Sequence, residues 1–564
     1  MKKLRVGFLI DDLSPSHQIN ELIDFVNESQ YFDNPILITG YKEKNQRCAL
    51  RKVASKIHKD PIKNISTLLR SILIGIISTL ELKNARKRYP GYRNNKKIKN
   101  LDDCKVVYVN GKWSKSEIFL DMKEDDITLI DDCYLDCIIG CGSGILRGKI
   151  LDISKFGVIS FYHGDNRTNR SGPSGFWEVL NREPSSGFII QKLKQELDGG
   201  EVLFRGNLMT CNSWLQNDAQ LLAKSNIFMI QLLINLAKNR SLPPSEGVRL
   251  HGNKLYEIDS SIVLFRYLLK ILLSKVFVRI IDKILTHKVA RWSVAYCYHD
   301  RFSKSLCRYK EIKNPKGRFL ADPFVIEYNG DNFIFVEDLF FNDMKGRISV
   351  IKVDEQKYEL LGVVLEEKFH LSFPFVFKDA GDIYMIPETS NNGDIRLYKS
   401  TEFPFKWEFK QQLMSDVDAA DTMIIKNENL WFMLTNICSA KIGDHQSELH
   451  IFYSEDFKKG NWRPIESGNP VIINSLKGRN GGFFRHNGEF YRINQVHGQR
   501  HYGKSFKVNH IEVLSRKHYV ENEVSDIEAE FKESIISTHH FSANENIAAV
   551  DFARLVRLKE AVKN

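Results

Sequence analysis

Two textures divide the chain. Up to about residue 242, short β-branched runs alternate with longer stretches whose apolar residues recur every three or four positions. The run LRVGFLI at 4–10 stops at Asp11-Asp12; an amphipathic stretch near 17–28 and a second apolar run at 35–38 follow. Further runs stand at 105–109, 137–140 and 158–161, and a long periodic segment at 215–239 closes the series. Strand and helix in alternation predict a Rossmann-like α/β domain with the strands 4–10, 105–109, 137–140 and 157–161 in one mostly parallel sheet. Pro243-Pro244 mark its end. No GxGxxG follows the first strand, so a dinucleotide has no phosphate cradle there.

From about 292 the pattern becomes short strands with turn signals. The runs 325–328 and 332–337 flank Asn329-Gly330 and predict a hairpin. Similar hairpins begin at 383–386, 430–433 and 489–492, a spacing of roughly 45–60 residues that matches a propeller blade. A polar signature precedes each: Ala321-Asp322-Pro323-Phe324, Leu371-Ser372-Phe373-Pro374-Phe375, Ala420-Asp421-Thr422 and Arg479-Asn480-Gly481-Gly482, with Val550-Asp551-Phe552-Ala553-Arg554 as a fifth. Five signatures predict an all-β five-bladed propeller over 292–564. The domains expected are therefore 1–242 (with a basic insertion at 43–100), a basic amphipathic helical linker at 243–291, and the propeller.

Charge changes this picture in two places. The insertion carries the apolar stretch ISTLLRSILIGIISTLEL at 65–82, interrupted by Arg70, and then Arg86, Lys87, Arg88, Arg93, Lys96, Lys97 and Lys99. It reads either as a helix packed on the sheet or as an interfacial membrane helix with a basic flank. The segment 261–288 is apolar with Arg266, Lys270, Lys275, Arg279 and Lys283 spaced by four or five. It reads either as an interdomain helix with a solvated stripe or as a helix against anionic lipid. The net charge of +11 favours an anionic partner, and no compact nucleic-acid recognition motif is present. The apolar run after Met1-Lys2-Lys3 ends too early for a signal peptide. With nine cysteines, the expectation is a reducing cytoplasmic location, with peripheral attachment to the inner membrane face as an extension. Cys133, Cys137 and Cys141 recur every fourth residue, but their segment reads as a strand into a turn, and no metal site is expected.

The stretch 155–206 carries a specific pattern: Gly157-Val158-Ile159, His163, Arg170 with Gly172, Asn181-Arg182-Glu183, Ser186-Gly187 and Leu197-Asp198-Gly199-Gly200. It resembles the formyltransferase family, the methionyl-tRNA and amino-sugar N-formyltransferases. That resemblance implies formyl transfer from 10-formyltetrahydrofolate. His163, or Tyr162 in a register shifted by one, takes the central role, and Asp198 is the carboxylate that tunes it. The family's oxyanion-donating Asn falls on Ser160 or Phe161, where only Ser160 offers a hydroxyl. The loop residues Asp165, Asn166, Arg167 and Arg170, with Gln191 on the following strand, are candidate substrate ligands; its two guanidiniums suit a phosphate.

The pieces ADPF, HLSFPFVF, MIPETS, FPFKW and HYGKSF in 300–558 are similar to the propeller of the family-43-like glycosidases. They are closer still to the N-terminal propeller of the glucosamine inositolphosphorylceramide transferases. The glycosidases use three inward carboxylates from successive blades. Asp322 matches the first position and Asp421 the third; the second reads Ser372-Phe373-Pro374, with Glu388 on another turn. Arg479, His539 and His540 are further candidates for a central funnel that binds glycan. The function expected is formyl or other acyl transfer to an amino sugar in surface-polysaccharide biosynthesis, on a nucleotide- or lipid-linked sugar. The alternatives are a glycosyltransferase or other glycan-modifying enzyme that reuses the fold, and a non-catalytic glycan-binding protein.

Overall fold

A computed structural model describes residues 2–40, 61–114, 118–168, 172–196, 199–247, 256–258, 260–284, 288–298, 305–557 and 561, with side chains at 61–65, 272 and 274–284 excepted. The chain divides into two compact units, Met1–Ser274 and Lys275–Asn564.

The first unit is built on a seven-stranded sheet: β1 (Val6–Leu9), β2 (Ile36–Thr39), β3 (Lys105–Tyr108), β4 (Cys137–Gly140), β5 (Val158–Tyr162), β6 (Ser185–Lys192) and β7 (Glu201–Met209). Their spatial order is β7-β6-β5-β4-β1-β2-β3. The first five are mutually parallel, whereas β6 and β7 are antiparallel to their neighbours. Strands β1 and β2 are buried at every position, as expected where helices cover both faces of a parallel sheet. The chain reverses direction across the sheet between β1 and β4, which opens a crevice at their carboxyl ends.

Helix Trp214–Asn239 passes the length and composition test for a membrane span, yet most of that window is buried inside the protein. It is a core helix. Helix Pro61–Arg88 packs Leu73, Ile77, Glu81 and Ala85, one residue per turn, into the unit. Glu81 accepts the Leu215 amide at 3.0 Å and the Tyr267 hydroxyl at 2.7 Å, so a carboxylate sits at the positive end of the core helix. On helix Ser261–Ile284, Lys270 donates to the carbonyls of Val179 and Leu180, both at 2.7 Å. It caps the short helix Phe176–Asn181, which removes it from the solvated stripe expected from sequence. The side chains of Lys275, Arg279 and Lys283 lie outside the described residues, as do 41–60 of the insertion.

The second unit is all β. Its first blade runs Arg318–Tyr328, Asp331–Phe340, Lys345–Val353 and Tyr358–Leu365; its second, Ser372–Asp379, Asp382–Glu388, Asp394–Glu402 and Lys406–Ser415. The third is Ala419–Asn427, Leu430–Ile437, Glu448–Ser454 and Arg463–Pro464, with Ile472–Ile473 beside it. A nine-stranded sheet supplies two more, joined by a single bridge between Phe484 and Ala543. One of these is Asn480–His486, Glu489–Gly498, His501–Leu514 and Tyr519–Glu528. In the other, Lys288–Tyr298 from the start of the unit pairs along its whole length with Ile547–Arg557 from the end. That pairing joins the start of the unit to its end and closes the ring.

The repeat is physical as well as spatial. In the first blade Tyr328 pairs with Asp331 across Asn329 (φ 51°) and Gly330 (φ 86°). Positive φ at both central residues makes the tight hairpin turn that matches strand twist. Ala380-Gly381 and Asn487-Gly488 repeat it in the second and fourth blades. Each innermost strand of the first four blades also carries a bulge at its polar signature, at 321/324, 372/375, 420/423 and 480/483.

Candidate functional sites

The α/β unit holds a cleft of about 280 Å³ at the carboxyl ends of β4 and β5. Gly140, Cys141, Gly142, Ser160, Phe161 and His163 line it, facing Ser225 and Asn226 of the core helix. His163 Nε2 lies 3.0 Å from Ser225 Oγ, and that hydroxyl donates to the Leu222 carbonyl at 3.0 Å. The serine proton is thus committed, so Nε2–H donates to Oγ and Nδ1 carries the lone pair. Burial lowers the His163 pKa to about 4, which keeps the ring neutral at physiological pH. The ring stacks on Phe161 at 5.5 Å. An oriented neutral imidazole at this edge is equipped to take a proton from an attacking hydroxyl or amine.

The other sequence candidates divide. Ser160 lines the cleft, but its hydroxyl donates to the Gly140 carbonyl at 3.0 Å, because the neighbouring parallel strand ends there. It is therefore not free to donate to an oxyanion. Tyr162 is half-buried and pairs with Ile189 on the adjacent strand; Gln191 pairs with Ser160. Asp165 is buried and accepts Arg205 Nη1 at 2.5 Å and the Arg167 amide at 2.9 Å, while Arg205 also pairs with Glu246. It anchors the loop to β7 rather than presenting a carboxylate to substrate. Arg167 lies 3.4 Å from the same carboxylate. The Asn166 side-chain oxygen is buried with no hydrogen-bond partner among the described residues. Arg170 and Asp198 lie outside the described residues. Burial pushes the Cys137 and Cys141 thiols up to about 12, so both stay protonated as packing groups.

The propeller centre collects a second cluster. Asp322, Phe373 and Asp421 occupy the bulges with φ of 50°, 44° and 48°. This rarely visited backbone region turns amides toward the neighbouring blade. The Asp322 amide donates to Asp551 Oδ2 and the Phe373 amide to Asp322 Oδ2, both at 3.2 Å. The Asp421 amide donates to Glu388 Oε2 at 3.3 Å. Glu388 pairs with Ser372 across the hairpin, so it supplies from the second strand the carboxylate that the second signature lacks. Burial raises the Asp322 pKa well above the carboxylate range; nearby His539 opposes this. Burial also lifts Asp421 to about 7, against the pull of Arg479, whose Nε lies 2.5 Å away. Arg479 Nη2 is 3.8 Å from Glu388 and the guanidinium sits 5.8 Å above the Tyr502 ring. Tyr502 remains 47% exposed, and its ring centroid also lies 4.6 Å from that of His497 and 5.3 Å from that of His539.

The residues packed around these carboxyls include the candidate His539 and two that the sequence did not single out, Trp292 and Gln495. His539 stacks on Trp292 at 4.0 Å, with Nδ1 2.6 Å from Asp551 and Nε2 3.7 Å from Asp322. Burial works against its imidazolium, but Asp551 and Asp322 outweigh burial and raise the pKa. Gln495 donates to Asp421 Oδ2 at 3.0 Å. His540, expected in the funnel, is instead fully buried between Phe324 and Phe373, with both ring nitrogens lacking a hydrogen-bond partner among the described residues and a pKa lowered by burial to about 3. Successive residues of an extended segment face opposite ways, so His539 and His540 do not share the centre.

Residues 285–544 match a known family. Its model is that of "Glucosamine inositolphosphorylceramide transferase 1, N-terminal". The transferase of that name from Arabidopsis thaliana is 34% identical over 252 residues, which cover 42% of this chain and 32% of that protein. The one from Oryza sativa subsp. japonica is 34% identical over 208 residues, covering 36% and 27%. The chain thus spans about a third of the length of the curated relatives it matches. Among solved structures, the catalytic domain of the Coprinopsis cinerea GH62 α-L-arabinofuranosidase covers 48% of this chain and 98% of its own at 12% identity, with a TM-score of 0.31. A thermostable family-43 glycoside hydrolase covers 43% and 91% at 14% identity, with a TM-score of 0.32.

Proposed function

We propose that this chain is a glycan-modifying transferase whose propeller centre holds a sugar and whose α/β cleft carries the transfer. The observation that carries the reading is the propeller centre. Arg479, Glu388 and the partly exposed Tyr502 stand together there, within the stretch matched by transferase relatives. A guanidinium and a carboxylate hydrogen-bond sugar hydroxyls in fixed directions, and an aromatic face covers the sugar's C–H side. The relatives' name joins glucosamine to an inositolphosphoryl lipid, so the ligand class proposed is an amino-sugar-bearing or lipid-linked glycan.

In the cleft, neutral His163 removes a proton from the attacking group while Ser225 fixes its tautomer. Formyl transfer from 10-formyltetrahydrofolate is the narrower reading. It finds no support at the position of the family's oxyanion-donating Asn, because the Ser160 hydroxyl is bonded to the Gly140 carbonyl and Phe161 has no polar group. The transferred group is therefore proposed as acyl or glycosyl, with no step assigned to a folate. Titration calorimetry of the full chain with glucosamine and its short oligosaccharides tests the sugar site. Binding that is lost in Arg479→Met supports it; no heat from any amino sugar, or unchanged binding in the variant, refutes it. A folate titration checks the narrower reading separately.

A further inference from the structure

The helices Pro61–Arg88 and Ser261–Ile284 leave two apolar stripes uncovered. On the first, Leu68, Leu69, Ile72, Ile76 and Leu80 are 42–51% exposed, on the side away from buried Leu73 and Ile77. On the second, Ile262, Phe265, Leu269 and Leu273 are 45–77% exposed at spacings of three and four. The helices are neighbours: Ser261 Oγ donates to the Ser66 carbonyl at 3.3 Å, and Arg70 donates to the Ile258 carbonyl at 3.2 Å. Nine large apolar side chains in this state exceed the scattered exposure normal for a soluble surface.

Charge decides the occupant. Exposed Lys83 and Lys87 continue the first stripe at helical spacing, and exposed Arg266 lies between Phe265 and Leu269. Among the described side chains of both helices the acidic residue is Glu81, which is 3% exposed and bonded to Leu215 and Tyr267. A second copy pairing through the same face would bring these cations together, with no exposed acid among the described side chains of either helix to offset them. An anionic leaflet takes both parts at once: headgroups meet the cations and acyl chains meet the stripes. We propose that these two helices form a peripheral membrane-binding face that lies on anionic lipid, independently of which group the cleft transfers.

Flotation of the full chain with phosphatidylcholine vesicles, and with vesicles also containing phosphatidylglycerol, tests this. Recovery with the anionic vesicles is expected to exceed that with neutral ones and to fall as salt rises. Ile72→Ser with Phe265→Ser should weaken binding roughly tenfold or more, because each loses an apolar anchor. Lys83→Ser, Lys87→Ser and Arg266→Ser together should erase the preference for anionic lipid while leaving the residual neutral binding. All these positions are exposed, so unchanged melting temperatures certify the fold. No flotation, equal recovery of the apolar variant, or a lipid-free dimer that the apolar variant dissociates would each overturn the proposal.

Discussion

Replacing Arg479 by Met separates electrostatics from packing at the propeller centre. Arg479 lies 2.5 Å from Asp421 and 3.8 Å from Glu388, and it is what pulls the Asp421 pKa down against burial to about 7. Without the guanidinium, Asp421 titrates higher still. Breaking a buried ion pair costs about 3–5 kcal/mol when the remaining charge is stranded. Here Asp421 escapes by keeping its proton, so the cost depends on pH. Below pH 7 both the wild type and the variant hold the proton in the folded state, and the loss of stability is constant. Above pH 7 the wild type is ionised whether folded or unfolded, whereas the variant's folded state still binds a proton that its unfolded state releases. Its stability therefore falls with a limiting slope of about 1.4 kcal/mol per pH unit, or about 1 kcal/mol between pH 7 and 8 given a midpoint near 7. Urea unfolding read by hydrogen exchange of propeller peptides measures this, and the double variant Arg479→Met/Asp421→Asn should show no such slope. A destabilisation identical at pH 6 and pH 8 would refute the coupling.

His163→Gln should lower the transfer rate roughly 10²–10⁴-fold, measured by product mass spectrometry, as expected for loss of a proton-transfer group. Because burial depresses the His163 pKa from 6.5 to about 4, the wild-type α/β unit should lose up to about 3 kcal/mol as pH falls from 6.5 to 4, and the Gln variant should not. His539 has a raised pKa, so its pairing with Asp551 stabilises the fold below 6.5 and is lost as pH rises through the folded value; in Asp551→Asn, NMR titration should find the His539 pKa lowered. Gly330 has φ of 86° with open space where a Cβ would stand, so Gly330→Ala should cost only the backbone penalty of about 1–2 kcal/mol in urea unfolding.

The strands of the α/β sheet were legible because each is a short apolar run with a polar end. Their order was not, since the antiparallel turn of β6 depends on packing between residues distant in sequence. The first hairpin was legible because Asn329-Gly330 has a local cause in its backbone angles. Loop charges were misread for the opposite reason. Asp165 looked like a ligand, but its partner Arg205 lies 40 residues on, with no local signature. Lys270 looked solvated because nothing in its helix announces the carbonyls of Val179 and Leu180. Glu388 was read as a funnel carboxylate on another turn, and its link to the second signature was not legible because it is made by cross-strand register with Ser372 rather than by sequence position. Alternation along an extended segment was the available signal that would have separated His539 from His540.

The strained bulges explain why a ring of carboxylates need not be a hydrolytic site. Holding a non-glycine residue in this backbone region costs of order 1–3 kcal/mol, and Asp322, Phe373 and Asp421 all do so. What offsets it is a set of amides aimed at the preceding carboxylate: Asp551 for Asp322, Asp322 for Phe373, and Glu388 for Asp421. Asp421 has spent its Oδ2 on Arg479 and Gln495 as well. Cleaving a glycoside needs one carboxyl to deliver a proton and a second, ionised, to assist on the other side. Carboxyls tied into blade-to-blade latches are poorly placed for either task. A sugar site of the kind proposed above, built on Arg479, Glu388 and the ring of Tyr502, asks these groups to hold a ligand rather than to attack it.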